Sequence, residues 1–299
     1  MRFTFEDAFF PLKISKRNFI VQLAFILSIP RHTFAKDQSK YSAMWVWKDR
    51  VLSTEQVGAF AEKHGIDTLF VYVSPEAGRA LFKGDNSALA NLKEMRGNGR
   101  KLYALVGEPE WAWGTTRIPE HAQMALELAT NQRIFDGIHF DIEPHSLEEW
   151  QISNERIKLM RGLIEFYQLI RNYSQTTVIE AAVNPIYAEL SISSGNFLEQ
   201  IMKNVDAISI MAYRKDVRRA LDWANPSIQI AEKIDKGWRM GLAVDDSGIL
   251  TSWNNLSSLQ LNELVANIQR QIIMNKSYKN YLGLSYQDYD GLKEVFERH

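Results

Sequence analysis

From Tyr41 onward, short apolar runs rich in β-branched and aromatic residues alternate with longer stretches of helical period. Strands covered on both faces read as compact apolar blocks and their crossover helices as amphipathic segments, so the alternation predicts a parallel α/β protein. Strands are predicted at 43–47, 67–73, 101–106, 135–142, 177–183, 207–211, 238–244 and 281–286. Ser53-Thr54-Glu55-Gln56 has helix-cap chemistry, and further helices are predicted up to about 97, over 119–130, 147–171 and 256–274, and from 288 to 298. Eight strand–helix units in this length predict a (β/α)₈ TIM barrel, which carries its active site at the C-terminal ends of the strands. A doubly wound open sheet normally has a glycine-rich phosphate loop after its first strand, and none follows residue 47. With no linker or low-complexity tract, 36–299 reads as a single barrel domain.

Period-two alternation sharpens the picture. In the fourth strand Ile138, Phe140 and Ile142 share one face, while Gly137, His139, Asp141 and Glu143 share the other. In the sixth, Ile208 and Ile210 alternate with Ser209, Met211 and Tyr213; in the eighth, Leu282 and Leu284 alternate with Gly283 and Ser285. The polar and small residues therefore face the barrel interior. Asp141 and Glu143 lie about 6.6 Å apart along an extended strand. Two inward carboxylates in an apolar strand are costly to bury as ions, so one of them is expected to hold a proton that it can deliver to a leaving oxygen. The competing structural reading is an interior ion pair with a basic residue from a neighbouring strand.

The stretch Phe135-Asp136-Gly137-Ile138-His139-Phe140-Asp141-Ile142-Glu143-Pro144 resembles the fourth-strand motif of glycoside hydrolase family 18, written D-G-x-D-x-D-x-E. Asp136, Gly137, Asp141 and Glu143 match, and His139 stands in place of the middle Asp. The resemblance implies Glu143 as the general acid. Asp141 would orient a 2-acetamido group whose carbonyl acts as nucleophile, the substrate-assisted exception to two-carboxylate hydrolysis. Met211-Ala212-Tyr213-Arg214 is similar to the family's M-x-Y-D, which implies that Tyr213 hydrogen-bonds the reacting acetamide; Arg214 replaces the Asp. Tyr286 sits where the family often places a Trp floor.

Other candidates come from position. Trp111 and Trp113 follow the third strand and either stack on sugar rings or tuck their own loop onto the barrel. Trp45 and Trp47 end the first strand, and Asn184 and Asp245 end the fifth and seventh with inward parity. All are expected to bind substrate, as is His139, for which a satisfied interior histidine is the alternative. The row His139, Asp141, Glu143, His145 would span roughly 20 Å along one strand, too far to converge on one ion, so neither a metal nor another cofactor is expected.

Composition narrows the function classes. The 35 basic and 36 acidic residues leave no charge excess to attract nucleic acid. The absence of cysteine excludes disulfides, thiolate metal sites and a cysteine nucleophile. Lys13, Lys16 and Arg17, an apolar run over 19–29 and Thr33-Phe34-Ala35 together have the form of a secretory signal peptide over 1–35. Cleavage after Ala35 would give a secreted or periplasmic protein without stable membrane insertion; an uncleaved anchor is the alternative. The sequence thus predicts an exported glycosidase acting on a polysaccharide or glycan. A non-catalytic glycan-binding barrel and a transglycosylase or lyase are the rival readings.

Overall fold

The computed structural model describes residues 42–245, 253 and 255–298. The predicted signal segment lies outside the described residues. Eight barrel strands appear in chain order: β1 (Ser42–Val46), β2 (Thr68–Tyr72), β3 (Lys101–Val106), β4 (Gly137–Phe140), β5 (Val178–Val183), β6 (Ala207–Ile210), β7 (Gly237–Ala243) and β8 (Tyr281–Gln287). Each is parallel to its chain neighbours, and β8 closes on β1 with Ser42 opposite Leu284, so the sheet is a closed barrel. A small antiparallel hairpin, Ser191–Ile192 with Gly195–Asn196, decorates the connection after β5.

Crossover helices surround the barrel: α1 (Val57–Lys63), α2 (Pro75–Phe82), α3 (Asn86–Arg96), α4 (Glu120–Thr130), α5 (Ser153–Tyr173), α6 (Phe197–Met202), α7 (Val217–Lys233), α8 (Ser258–Met274) and α9 (Tyr289–Glu297). Local chemistry sets several starts. Ser74 accepts from the Ala77 amide with Pro75 at the first helical position, and Ser257 with Gln260 forms a reciprocal capping box. Two predicted starts shift. Ser53 Oγ accepts from the Glu55 amide and so shapes a turn, leaving α1 to begin at Val57 without a side-chain cap. Pro144 opens a pair of 3₁₀ turns that bury Trp150, and α5 begins only at Ser153.

Strand alternation divides the apolar residues into two cores. Met44, Val71, Phe140, Ile208, Met240 and Leu284 belong to the larger one, between strands and helices. Ala43, Trp45, Phe70, Tyr103, Leu105, Ala182 and Met211 fill the barrel interior. Inward polar residues form a layer in that interior. Glu180 accepts from Ser209 Oγ at 2.7 Å and faces Arg239 Nε at 3.4 Å, while Arg239 Nη1 donates to the Leu282 carbonyl at 2.6 Å. An interior ion pair therefore exists, but it is made by Glu180 and Arg239 rather than by Asp141 or Glu143.

Candidate active site

The carboxylates emerge where β4 ends. The Asp141 amide donates to the Val106 carbonyl at 3.0 Å, and a Cβ on Gly107 would stand 2.0 Å from the Asp141 carbonyl oxygen. Only glycine lets the ends of β3 and β4 close this tightly. Beyond them opens a pocket of about 440 Å³ at the C-terminal mouth of the barrel. Asp141 and Glu143 share its wall with Asn184 after β5, Met211 and Tyr213 after β6, Asp245 after β7 and Gln287 at the end of β8. Trp47 closes one side and donates from Nε1 to Gln287 Oε1 at 3.1 Å. Gly241 faces inward on β7, where an added Cβ would lie 3.2 Å from the Tyr213 ring; its missing side chain gives that ring room.

Of the two carboxyls, Asp141 is the one whose surroundings favour the protonated form. Burial first, and then the charge and hydrogen bonding of Glu143, raise its pKa well above the ordinary carboxylate value. Its Oδ1 is buried without a hydrogen-bond partner. Tyr213 keeps its phenolic proton, because burial first, and then the nearby carboxylate of Glu143, push its pKa well up; it stays a donor. On the outer side, His145 Nε2 lies 3.4 Å from Glu143 Oε2, and its Nδ1 is 2.8 Å from the Tyr187 hydroxyl. Burial lowers the His145 pKa, with the Glu143 charge opposing it. If Tyr187, which also retains its proton, donates to Nδ1, the remaining imidazole N–H points at Glu143.

The raised Asp141 pKa has a consequence for stability. The folded chain holds this proton more tightly than the unfolded chain does, so stability falls as pH rises above the unfolded carboxylate value and until Asp141 ionises in the fold. Asp141→Asn removes that cost. Its melting temperature relative to wild type should rise between pH 4 and pH 8 by on the order of 3 °C or more. A difference that does not change with pH would contradict a buried, protonated Asp141.

No protein-family model and no curated protein sequence matches the chain. Among solved structures, a GH18 chitinase from Pseudoalteromonas aurantia superposes with TM-score 0.54 at 13% identity, covering 85% of this chain and 98% of that one. Active domain 2 of a thermostable chitinase from Pyrococcus furiosus, complexed with chito-oligosaccharides, gives TM-score 0.53 at 11% identity and covers 83% of each chain. The fold is the (β/α)₈ barrel that these chitinases share. A putative deoxyribose-phosphate aldolase from Toxoplasma gondii matches with TM-score 0.53 at 14% identity, covering 90% of this chain and 96% of that one. The likeness is therefore one of barrel architecture, and the chemistry rests on the side chains.

In this barrel Asp141, Glu143, Tyr213, Trp47, Asn184 and Asp245 line one pocket. Asn184 also accepts from the Ile186 amide, so it caps the following turn as well as lining the wall. Five predicted substrate contacts need correction. His139 and Trp45 face inward but lie one layer deeper, with no exposed surface. Trp45 Nε1 donates to His139 Nε2 at 3.1 Å, and Phe70 stacks on the imidazole at 3.8 Å. Burial and Arg239 lower the His139 pKa far below its ordinary value, so His139 is a neutral interior histidine.

Tyr286 points outward into the strand–helix core at 7% exposure, and Gln287 takes the inward position. Trp111 stacks on Phe166 of α5 at 5.5 Å, with its edge toward His121, and Trp113 lies on the surface away from the pocket. Their loop is pinned at Gly162, where a Cβ would meet the Ala112 carbonyl oxygen at 2.2 Å. Trp111→Ala should therefore cost about 3 kcal/mol of stability through lost packing and leave oligosaccharide affinity intact. Trp47→Ala should do the reverse. Thermal melts beside binding titrations check both, and a loss of affinity confined to Trp111→Ala would overturn the assignment.

His145, Met211, Arg214, Trp223 and Gln287 complete the pocket without having been expected there as binding residues. Parity signals Gln287 and Met211. The other three sit on loops and a helix, where no period reports inward direction.

Proposed function

We propose that the chain is a glycoside hydrolase that cleaves an N-acetylhexosamine-containing glycan, with Glu143 as the general acid. The observation that carries this reading is a buried Asp141, its carboxyl pKa raised by burial and by Glu143 beside it, in an open pocket at the mouth of the barrel. Carboxylates at this end of a barrel strand are placed for chemistry, and a paired site keeps one proton ready near neutral pH. The chito-oligosaccharides bound to the similar chitinase domain support a carbohydrate ligand.

The residues divide the work in the following way. Glu143 reaches the glycosidic oxygen and protonates it as the bond to C1 breaks. The proton held by Asp141 can pass to Glu143, leaving Asp141 as a carboxylate. A buried carboxylate is costly alone, and it gains a partner when positive charge develops on the nitrogen of the attacking acetamide. The partnerless Oδ1 of Asp141 is suited to accept that N–H. Tyr213, a retained donor, holds the acetamide oxygen against C1. His145 orients Glu143. In this reading the N-terminal signal carries the enzyme across a membrane, where extracellular or periplasmic glycans are within reach.

The test is product analysis on chito-oligosaccharides by proton NMR during the first turnovers. Acetamide participation predicts net retention, so the β-anomer of the new reducing end should appear first. An α-anomer appearing first would exclude the acetamide nucleophile. Products longer than the substrate would make the protein a transglycosylase. Saturable binding without any product would favour the non-catalytic barrel.

A further inference from the structure

Arg214 is unlike the other covered arginines of the barrel. Arg100, Arg171 and Arg239 each meet a carboxylate, from Glu62, Asp206 and Glu180 respectively. Arg214 lines the pocket beside Tyr213, yet no carboxylate pairs with it among the described residues. Its guanidinium lies flat on the Trp223 ring, 3.3 Å from the centroid, and Nη1 donates to the Tyr213 carbonyl at 2.8 Å. Partial burial lowers its pKa, and no acidic neighbour pulls the other way. Stacking and one backbone bond thus fix the plane of a cation whose remaining N–H groups have no partner among the described residues.

More basic residues follow in the chain. Lys215, Arg218 and Arg219 follow on the same loop and the first turn of α7, all exposed. The acids among them are engaged: Asp216 caps α7 by accepting from the Arg219 amide, and Asp222 faces Arg218 at 3.8 Å. Residues 214–222 thus carry four basic and two acidic side chains, in a chain with formal net charge −1. Within the pocket, the proton on Asp141 removes one negative charge that would oppose an anion.

A planar guanidinium held by stacking matches a carboxylate in two parallel hydrogen bonds, whereas a sugar hydroxyl gains much less from it. We propose that Arg214 selects a carboxylate-bearing sugar, so that the glycan cleaved at Glu143 carries an acidic residue whose carboxylate docks on the Arg214 guanidinium. This rests on reading the pocket as a glycan site. The carboxylate belongs either to a uronic acid or to a lactyl ether on a hexosamine, two sources with the same recognition chemistry.

The experiment is calorimetric titration of the full chain carrying Glu143→Gln, so that binding is read without turnover. Three oligosaccharides of equal length, all containing N-acetylglucosamine, serve as probes. One is neutral chito-oligosaccharide, one alternates with glucuronate, and one alternates with N-acetylmuramic acid from peptidoglycan. One of the acidic probes should bind about tenfold tighter than the neutral probe, and which one it is names the source. Adding Arg214→Gln should bring that ratio close to one. Arg214→Lys should leave an intermediate ratio, since a point charge without the planar fork recovers only part of the pairing. Salt should shrink the preference.

Neutral probe binding as tightly as both acidic probes would overturn the proposal, as would a preference that survives Arg214→Gln in a variant with a wild-type circular dichroism spectrum. Cleavage of chito-oligosaccharides by the wild type without acidic preference would sink this inference and leave the hydrolase reading standing. Arg214-dependent acidic binding without cleavage would do the opposite. Failure of all three probes to bind would overturn both.

Discussion

Arg239→Met should destabilise the fold by about 3–5 kcal/mol, because it leaves the Glu180 charge buried without its partner. Glu180 is 1% exposed, and Ser209 alone would remain to hydrogen-bond it. His139 Nδ1 lies 3.8 Å away, and burial keeps that imidazole neutral. At the usual conversion for a domain of this size the melting temperature should fall by roughly 10 °C. Met preserves much of the volume of the arginine stem, so the loss isolates charge from packing. The double variant Glu180→Gln, Arg239→Met removes both charges and keeps an acceptor for Ser209, and it should recover most of the stability. Thermal unfolding of the single and double variants measures this. A single variant within about 1 kcal/mol of wild type would show that the interior layer is held by packing alone.

The sequence makes most of this architecture legible, for a specific reason. Strand period is two, so Ile138, Phe140 and Ile142 must face away from Asp141 and Glu143, and the C-terminal ends of parallel strands converge by topology. Asp141, Glu143, Asn184, Tyr213 and Asp245 therefore assemble as their parity dictates. Parity reports the face but not the depth. Trp45 and His139 obey it and still lie beneath the pocket, because a barrel interior is packed in layers rather than open. Tyr286 shares a face with Leu284, so its outward direction was already implied by alternation; the analogy with a Trp floor pointed the wrong way.

The loops are where sequence pattern carries least. Trp111 and Trp113 look like sugar platforms, and what decides otherwise is a close approach of Ala112 to Gly162, fifty residues further along the chain. The Arg214–Trp223 stack joins a loop to a helix face, and no local rule announces it. His145 attracts attention as a metal-capable side chain, whereas its position against Glu143 and Tyr187 makes it a positioning residue. Each miss comes from contact between segments distant in sequence, and each hit comes from a period that a single strand enforces.

Glu143→Gln should have the largest effect on activity. The substitution keeps the shape and hydrogen-bonding reach of the side chain but removes its ability to deliver a proton. Positioned acid catalysis contributes about 10²–10⁴-fold, so kcat should drop by at least ~10³ while KM changes little. Stability should hardly move, because Glu143 lies at the pocket wall with its side chain about a third exposed (35%). Asp141 then loses a charged neighbour, and a slight gain in melting temperature is the expected side effect. The decisive measurement is reducing-end release by wild type and Glu143→Gln on acidic and neutral N-acetylhexosamine glycans. Turnover by the wild type that falls at least ~10³-fold in a fully folded variant is the result this account predicts; turnover that survives the substitution would contradict it.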